Sequence, residues 1–199
     1  MSRLIYLHGF RSSSKSFKAQ LLKQRMTELG LSDHFVAPDL DVSPAQAVAS
    51  VVSGLQPTVD DVLVGSSLGG FYAIVLAEYA GCHAVLLNPA VNAPRDLASQ
   101  VGTQQGYHDN VPFEFLPGYI DELRAMQVPA ITRPERYFLI AAEGDELLDY
   151  REMVSFCHGA RQLVLPGSDH GLSDFADHVD AVLSFAGMLP RVSASPSAG

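Results

Sequence analysis

The stretch Val62-Leu63-Val64-Gly65-Ser66-Ser67-Leu68-Gly69-Gly70 decides how this chain folds. Three aliphatic residues lead into a G-x-S-x-G pattern, and the apolar segment 71–80 follows at once, which predicts a strand, a tight turn and a helix. On such a turn a serine is held in a strained backbone conformation at the carboxyl end of a sheet. Glycines two residues before and two residues after it remove side-chain clashes. The pattern makes Ser67 a candidate nucleophile.

Spacing alone does not establish this role, because the chain has 16 glycines among its 199 residues and the pattern also arises by chance. The simpler alternative is a glycine-rich turn that carries a surface serine. A nucleophilic serine also needs a base that removes its proton and an acid that orients the base. The rest of the chain must supply both partners.

Composition indicates one globular domain. The chain is 47% hydrophobic and 18% charged, which is ordinary for a globular protein of this length, and we expect a single domain over residues 1–189. The formal net charge of −9 disfavours nucleic acid and anionic membrane surfaces as partners of the whole surface.

The sequence also predicts a cytoplasmic protein without a membrane span. No apolar run reaches the length of a signal peptide at the start of the chain, and none reaches the roughly 18 residues of a membrane helix. Cys82 and Cys157 are too few for a disulfide framework or a zinc site, so we expect two buried free thiols and no metal.

Strands alternate with helices along the chain, and most of the strands are almost continuously apolar. The predicted strands are 3–7, 34–37, 60–64, 83–87, 136–142 and 161–165. The main predicted helices are 17–29, 44–53 with Ser43 as its N-cap, 149–156 and 173–186. This pattern predicts a three-layer α/β sandwich in which about six parallel strands, in the order 2-1-3-4-5-6, have helices on both faces. The first helix should bury Phe17, Leu22 and Met26 among its apolar residues.

Two segments depart from this alternation. Residues 91–134 are too long for an ordinary connection, are rich in polar residues and proline, and hold one helical piece over 119–126; we interpret them as a lid-like insertion after strand 4. Residues 190–199 hold serines, prolines and alanines, and we expect a disordered tail.

Ligands of such sheets bind beyond the carboxyl ends of the strands, so the partners of Ser67 should lie on loops that follow strands. His170 directly follows the last strand and is the predicted base. The acid has four candidates after the fifth strand. Asp149 begins a D-x-x-E capping box, so its side chain is expected at a helix start, and we favour Asp145 over Asp149, Glu143 and Glu146.

Acyl transfer also needs hydrogen-bond donors for the oxyanion of the tetrahedral intermediate. The backbone N–H after the nucleophile belongs to Leu68, and the loop after the first strand offers the N–H of Phe10, with His8 as a structural loop residue. His108, in the insertion, is a candidate contact for substrate.

Together these residues resemble the α/β-hydrolase superfamily and, within it, the small single-domain esterases of the YqiA type. The matching segments are 6–10, 64–70, 87–90, 144–151 and 169–170. The resemblance implies a triad of Ser67, Asp145 and His170 and an esterase acting on short acyl esters or acyl-CoA thioesters. The insertion around 106–115 departs from the family pattern, which leaves the substrate range open.

A basic segment lies outside this resemblance. Residues 1–27 contain six basic residues and not one acidic residue; they are Arg3, Arg11, Lys15, Lys18, Lys23 and Arg25. Arg11 and Lys15 lie close to the predicted oxyanion donor Phe10. One hypothesis is that they steer anionic substrates, and the alternative is a solvated helix face.

The sequence therefore predicts a serine carboxylester hydrolase without a cofactor, acting on a small-molecule ester of short to medium acyl length. A thioesterase or a C–C bond hydrolase would use the same triad. A binding protein without catalytic activity on the same fold is the alternative from a different class. The sequence does not specify the oligomeric state.

Overall fold

A computed structural model describes residues 2–107 and 110–189. Its centre is a six-stranded sheet in which every neighbouring pair of strands is parallel. The strands are β1 (Leu4–Leu7), β2 (Phe35–Val36), β3 (Val62–Ser66), β4 (His83–Leu87), β7 (Tyr137–Ala142) and β8 (Arg161–Leu165). They are arranged in the order β2-β1-β3-β4-β7-β8, so the predicted fold and strand order are confirmed.

Helices cover both faces of this sheet. The helices are α1 (Phe17–Glu28), α2 (Pro44–Leu55), α3 (Leu68–Ala80), α4 (Ala93–Asp96), α5 (Pro117–Met126), α6 (Tyr150–Phe156) and α7 (Val179–Phe185). Buried side chains of α1 and α7 form one hydrophobic cluster with alternate strand residues, and those of α2, α3, α5 and α6 form the other. Because β1, β3 and β7 are buried along their whole lengths, the near-continuous apolar runs of the sequence reflect a sheet covered on both sides.

Helix α1 corrects one expectation. Phe17 is 53% exposed, whereas Lys18 is buried together with Ala19, Leu22 and Met26. Ser16 accepts a hydrogen bond from the Ala19 N–H and caps the helix, and its hydroxyl donates to the buried Tyr6 hydroxyl at 3.2 Å, which ties the start of the helix to β1. The apolar pattern therefore predicted the position of this helix correctly, but it assigned burial at the helix start to Phe17 instead of Lys18.

The closing helix also differs from the prediction of one element over 173–186. A 3₁₀ segment, Phe175–His178, precedes the shorter helix α7. The chain bends at Leu172, whose φ of 49° lies in the left-handed region, and its side chain is fully buried. Burial of this side chain offsets the cost of that backbone conformation.

The insertion after β4 holds more regular structure than expected. Besides α4 and α5 it contains an antiparallel hairpin formed by β5 (Gly102–Gln105) and β6 (Pro112–Phe115). Phe113 and Phe115 of this hairpin pack against the ring of Phe10, with ring centroids 5.9 and 4.9 Å apart. The hairpin therefore lies over the loop that follows β1.

The cysteines agree with the sequence prediction. Cys82 and Cys157 are both free and buried, as predicted. The tail 190–199 lies outside the described residues. Among residues 2–107 and 110–189, none of the helices has the length and apolar character needed to cross a membrane.

Candidate active site

Ser67 lies between the end of β3 and the start of α3, in a backbone conformation that few residues adopt. Its φ of 55° and ψ of −118° fall outside the regions allowed to ordinary L-residues. Hydrogen bonds hold the turn in place: its N–H donates to the Leu87 carbonyl at 3.0 Å, and its carbonyl accepts from Gly70 at 2.9 Å and Ala90 at 3.0 Å. The strained turn is therefore fixed by contacts on both sides.

Gly65 and Gly69 are required by space at this turn. A Cβ atom on Gly65 would collide with the carbonyl of Gly69, and a Cβ atom on Gly69 would collide with the carbonyl of Leu7. The two glycines thus allow α3 to start directly against β1 and β3. This is the physical basis of the motif that the sequence displays.

Asp145 and His170 form a buried pair on the loops after β7 and β8. His170 Nδ1 and Asp145 Oδ2 are 2.8 Å apart, the side chain of Asp145 is 0% exposed and that of His170 is 17% exposed. The other oxygen of Asp145 accepts from the N–H groups of Leu147 and Leu148 at 2.9 and 2.8 Å. The carboxylate is therefore fixed in position by its own loop.

The other three acidic candidates have different surroundings. Glu146 accepts a hydrogen bond from the backbone N–H of His170 at 3.1 Å, so it holds the loop rather than the ring. Asp149 accepts from the Arg151 N–H and begins α6, as the sequence predicted. Glu143 is exposed. Of the four, Asp145 is the carboxylate that reaches the imidazole.

The loops of Ser67 and His170 meet at the end of β4. Ser67 donates to Leu87, and the side chain of the next residue, Asn88, donates to the carbonyl of His170 at 3.1 Å. Among the described residues, the Ser67 hydroxyl has no hydrogen-bond partner, so the structure shows serine and imidazole on adjoining loops without a bond between them. Such contacts often tighten only when a substrate binds.

The two backbone N–H groups predicted to bind the oxyanion belong to Leu68, the residue after Ser67, and to Phe10. Leu68 is the first residue of α3, where N–H groups have no partner within the helix. Phe10 follows Gly9, on which a Cβ atom would lie 3.2 Å from the Cβ atom of Ser67, so the loop passes directly over the serine. Within residues 2–107 and 110–189, neither N–H has an acceptor.

His8 has a structural role, as expected. Its Nε2 accepts from the Leu40 N–H at 2.9 Å, which leaves the proton on Nδ1, and Nδ1 donates to the Gly9 carbonyl at 2.9 Å. Both ring nitrogens are therefore occupied, and the imidazole connects the β1 loop to the segment after β2.

A cavity of about 470 Å³ opens next to these N–H groups. Its apolar wall includes the side chains of Phe10, Leu40, Val42, Leu68, Tyr72 and Phe113. Its rim carries two basic and two acidic residues: Arg11, Lys15, Asp39 and Asp41. The cavity therefore combines an apolar interior with a rim of mixed charge.

The basic segment of the sequence is dispersed by the fold. Arg3 pairs with Asp61 at 2.6 Å, Arg25 pairs with Asp180 at 2.8 Å, and Lys18 faces inward. Arg11 donates to the Gln105 carbonyl at 2.7 Å and lies over the ring of Tyr107.

Of the three predicted substrate contacts, Arg11 and Lys15 line the cavity. Arg11 holds the hairpin, Lys15 lies exposed at the cavity rim, and His108 lies outside the described residues.

Asn88 contacts the loop of His170, and the sequence did not predict this contact. It is 0% exposed and has a φ of 42°. The pattern Leu87-Asn88-Pro89 offered a signal, since a polar residue that ends an apolar strand at the carboxyl edge of a sheet is placed to act there. Its partners became evident only in three dimensions.

The chain is similar over nearly its whole length to a known protein family. The model of "Uncharacterised protein family (UPF0227)" matches residues 3–187. UPF0227 proteins of Yersinia pseudotuberculosis and Yersinia pestis are 21% identical over 188 residues, covering 92% of this chain and 97% of theirs.

Similar solved structures share the architecture at low sequence identity. Mouse alpha/beta hydrolase domain-containing protein 10 has a TM-score of 0.65 and 15% identity, covering 91% of this chain and 89% of its own. A structure of the metagenome-derived lipolytic enzymes LipS and LipT has a TM-score of 0.68 and 14% identity, covering 94% of both chains. Est1E from Butyrivibrio proteoclasticus has a TM-score of 0.63 and 15% identity, covering 92% of this chain and 86% of its own. The family match spans nearly the whole chain, and this protein therefore belongs to UPF0227 and has the fold of the α/β-hydrolase superfamily.

Proposed function

We propose that the protein is a serine carboxylester hydrolase that acts through Ser67, His170 and Asp145. The observation that carries the proposal is the buried pair of Asp145 and His170, 2.8 Å apart, in which the His170 loop is joined through Leu87 and Asn88 to the strained turn of Ser67. A serine becomes a nucleophile when a base is oriented toward it by a third group, and these three residues supply that set.

The first half of the reaction forms an acyl-enzyme. Because His170 Nδ1–H donates to Asp145, the lone pair of Nε2 is free to take the proton of Ser67 as its oxygen attacks the ester carbonyl. The N–H groups of Phe10 and Leu68 stabilise the negative carbonyl oxygen of the tetrahedral intermediate. His170 then returns the proton to the leaving alcohol as the ester C–O bond breaks.

The second half releases the acid. Water attacks the acyl-serine carbonyl, His170 takes a proton from that water, and the same two N–H groups stabilise the second intermediate. When the bond to Ser67 breaks, His170 returns the proton to the serine oxygen. One water is consumed for each ester, and the residues of the chain carry every proton transfer.

The cavity favours the acyl side of the substrate. The leaving oxygen must come within hydrogen-bond reach of His170 Nε2. The cavity lies on the side of Phe10 and Leu68, which line it, and among the described residues none of the His170 loop, 167–172, lines it. The acyl group therefore occupies the cavity. A volume of about 470 Å³ with an apolar wall suits short to medium acyl chains.

The names of similar structures agree with ester chemistry. One such structure belongs to lipolytic enzymes, and another holds ferulic acid, a carboxylic acid, bound to Est1E. These names support the choice of esters as the first substrates to test.

The proposal predicts that Ser67→Ala lowers the hydrolysis of p-nitrophenyl esters by about 10³-fold or more, because no other group can form the acyl-enzyme. Turnover is measured on p-nitrophenyl acetate, butyrate, hexanoate and octanoate, with acetyl-CoA as the thioester comparison. The matched control is Ser66→Ala, one residue earlier in the same turn. Ester hydrolysis that survives in Ser67→Ala would contradict the mechanism, and preference for acetyl-CoA would assign a thioesterase.

A further inference from the structure

Three consecutive backbone carbonyls around His170 are held by side chains from distant parts of the chain. Asn88 Nδ2 donates to the carbonyl of Asp169 at 3.0 Å and to that of His170 at 3.1 Å. Lys18 Nζ donates to the carbonyl of Gly171 at 2.5 Å. We call these two side chains and three carbonyls the carbonyl clamp.

Asn88 is chemically suited to its place in the clamp. While its amide nitrogen donates to the His170 loop, its amide oxygen accepts from the Ala142 N–H at 2.8 Å at the end of β7. A side chain that must donate twice and accept once in a small space has to be an amide, because a carboxylate only accepts. Asparagine also tolerates the left-handed backbone found at this position better than most residues.

Lys18 occupies a position that is unfavourable for a lysine. It lies on α1, its residue is 9% exposed, and burial lowers the pKa of its ammonium to about 8, against the opposing effect of Asp169 and Asp145. Burying this group costs free energy unless it gains a partner. The partner that it gains is the carbonyl next to His170.

The clamp holds carbonyls of the His170 loop that neither Asp145 nor Glu146 reaches. Asp145 fixes one nitrogen of the His170 ring and Glu146 holds the backbone N–H. The carbonyl of Asp169 also accepts from the Leu172 N–H at 3.0 Å, but that hydrogen bond lies within the loop and does not join it to the rest of the site. The clamp joins that segment to β4, to β7 through Asn88, and to α1. It thus fixes the position, relative to Ser67, of the backbone that carries the imidazole.

We propose that Asn88 and Lys18 are positioning residues that hold the His170 loop so that the imidazole reaches Ser67 and Asp145 together. The proposal rests on the proposed esterase function. Displacement of a catalytic group by about 1 Å can cost on the order of 100-fold in rate. The clamp therefore contributes to kcat and leaves binding of the acyl group in the cavity unchanged.

Two variants remove the clamp one side at a time. Asn88→Asp keeps the acceptor for Ala142 but replaces the donors to residues 169 and 170 with an oxygen that repels their carbonyls. Lys18→Met keeps the apolar stem and removes the donor to Gly171. Lys23→Met on the exposed face of the same helix is the control. We expect kcat on p-nitrophenyl butyrate to fall about 10- to 100-fold in both clamp variants, with KM within about 2-fold of wild type.

A second readout separates positioning from loss of folded protein. Each kcat is normalised to the folded fraction measured by circular dichroism, and the proton shared by His170 and Asp145 is observed by NMR as a far-downfield resonance. We expect this resonance to broaden or shift in both clamp variants and to persist unchanged in Lys23→Met. If Asn88→Asp fails to fold, Lys18→Met still decides the question.

The possible outcomes distinguish the two proposals. A kcat per folded molecule that equals the wild-type value, with an unchanged resonance, would overturn the clamp. Activity lost through KM alone would also overturn it. If the wild-type protein hydrolyses no ester and Ser67 reacts with no acylating reagent, the proposed function itself fails, whatever the variants show.

Discussion

The sequence could identify Ser67, Asp145 and His170 as candidates because each directly follows an apolar strand. Loops at the carboxyl edge of a parallel sheet converge, so chain order alone indicates which polar residues can meet. Asn88 and Lys18 could not be found in this way. They lie 82 and 153 positions from the carbonyls that they bind, and no local pattern marks a lone asparagine or lysine as a partner for a backbone.

Two buried tyrosines provide a test of residue-level packing. The hydroxyl of Tyr72, at the cavity, has no hydrogen-bond partner among the described residues, whereas that of Tyr137 donates to Glu78 at 2.5 Å. An unpaired buried hydroxyl costs free energy, and a hydrogen bond to a carboxylate stabilises by about 2 kcal/mol. We expect Tyr72→Phe to leave the free energy of unfolding unchanged or higher, and Tyr137→Phe to lower it by about 2 kcal/mol.

Urea unfolding of the two variants and the wild type, followed by circular dichroism, measures both changes under one condition. Equal losses in the two variants would show that the Tyr72 hydroxyl has a partner in solution. The conclusion that the Tyr72 hydroxyl lies unpaired at the cavity would then be wrong.

At the scale of elements, periodicity located the strands of the central sheet and most of the helices that pack on it. The strand over 161–165 was predicted at its observed bounds, and Ser43 and Asp149 cap α2 and α6 as their positions suggested. The hairpin of β5 and β6 was missed because β5 reads Gly-Thr-Gln-Gln, without the apolar alternation that marks a strand. Its pairing with β6 and the packing of the β6 rings on Phe10 stabilise it instead, and neither is encoded locally.

The ends of the central strands opposite the site are held by an ion pair. Asp61, just before β3, accepts from Arg3, just before β1, through both the backbone and the guanidinium group, and from the Thr58 N–H. Burial by itself would raise the pKa of Asp61, but these hydrogen bonds outweigh it and lower the pKa to about 2. The folded state therefore favours the ionised carboxylate.

This pKa predicts how stability depends on pH. Because the folded pKa lies below the unfolded value near 3.9, the stabilisation of about 2 kcal/mol is present above that value and is lost as the pH falls toward 2. Asp61→Asn should therefore be less stable than the wild type by about 2 kcal/mol at pH 6. The gap should narrow between pH 4 and pH 2.

Urea unfolding at pH 6, 4 and 2.5 measures this gap, and Asp60→Asn, the exposed neighbour, is the control. A gap that stays constant with pH would show that the ion pair does not depress the pKa. In that case the ends of β1 and β3 would be held by packing alone.

At the scale of the whole molecule, topology assembles the site. The order Ser, Asp, His along the chain places the three residues after β3, β7 and β8, at the same edge of one sheet. Composition was a weaker guide at this scale. The basic run over residues 1–27 suggested a positive rim, but the fold pairs or buries half of it and places Asp39 and Asp41 beside Arg11 and Lys15. Charged residues that are neighbours in sequence become separated when they lie on different helices and strands. Residues on the loops at one edge of the sheet are instead brought together, although they are far apart in sequence.

Covalent labelling tests directly whether Ser67 is the nucleophile. The wild type and Ser67→Ala are treated with a fluorophosphonate, and the mass of the intact protein and of its peptides is determined. We expect one phosphonate on the wild type, located on the peptide that contains Ser67, and none on Ser67→Ala. An unlabelled wild type, or a label that persists in Ser67→Ala, would contradict it.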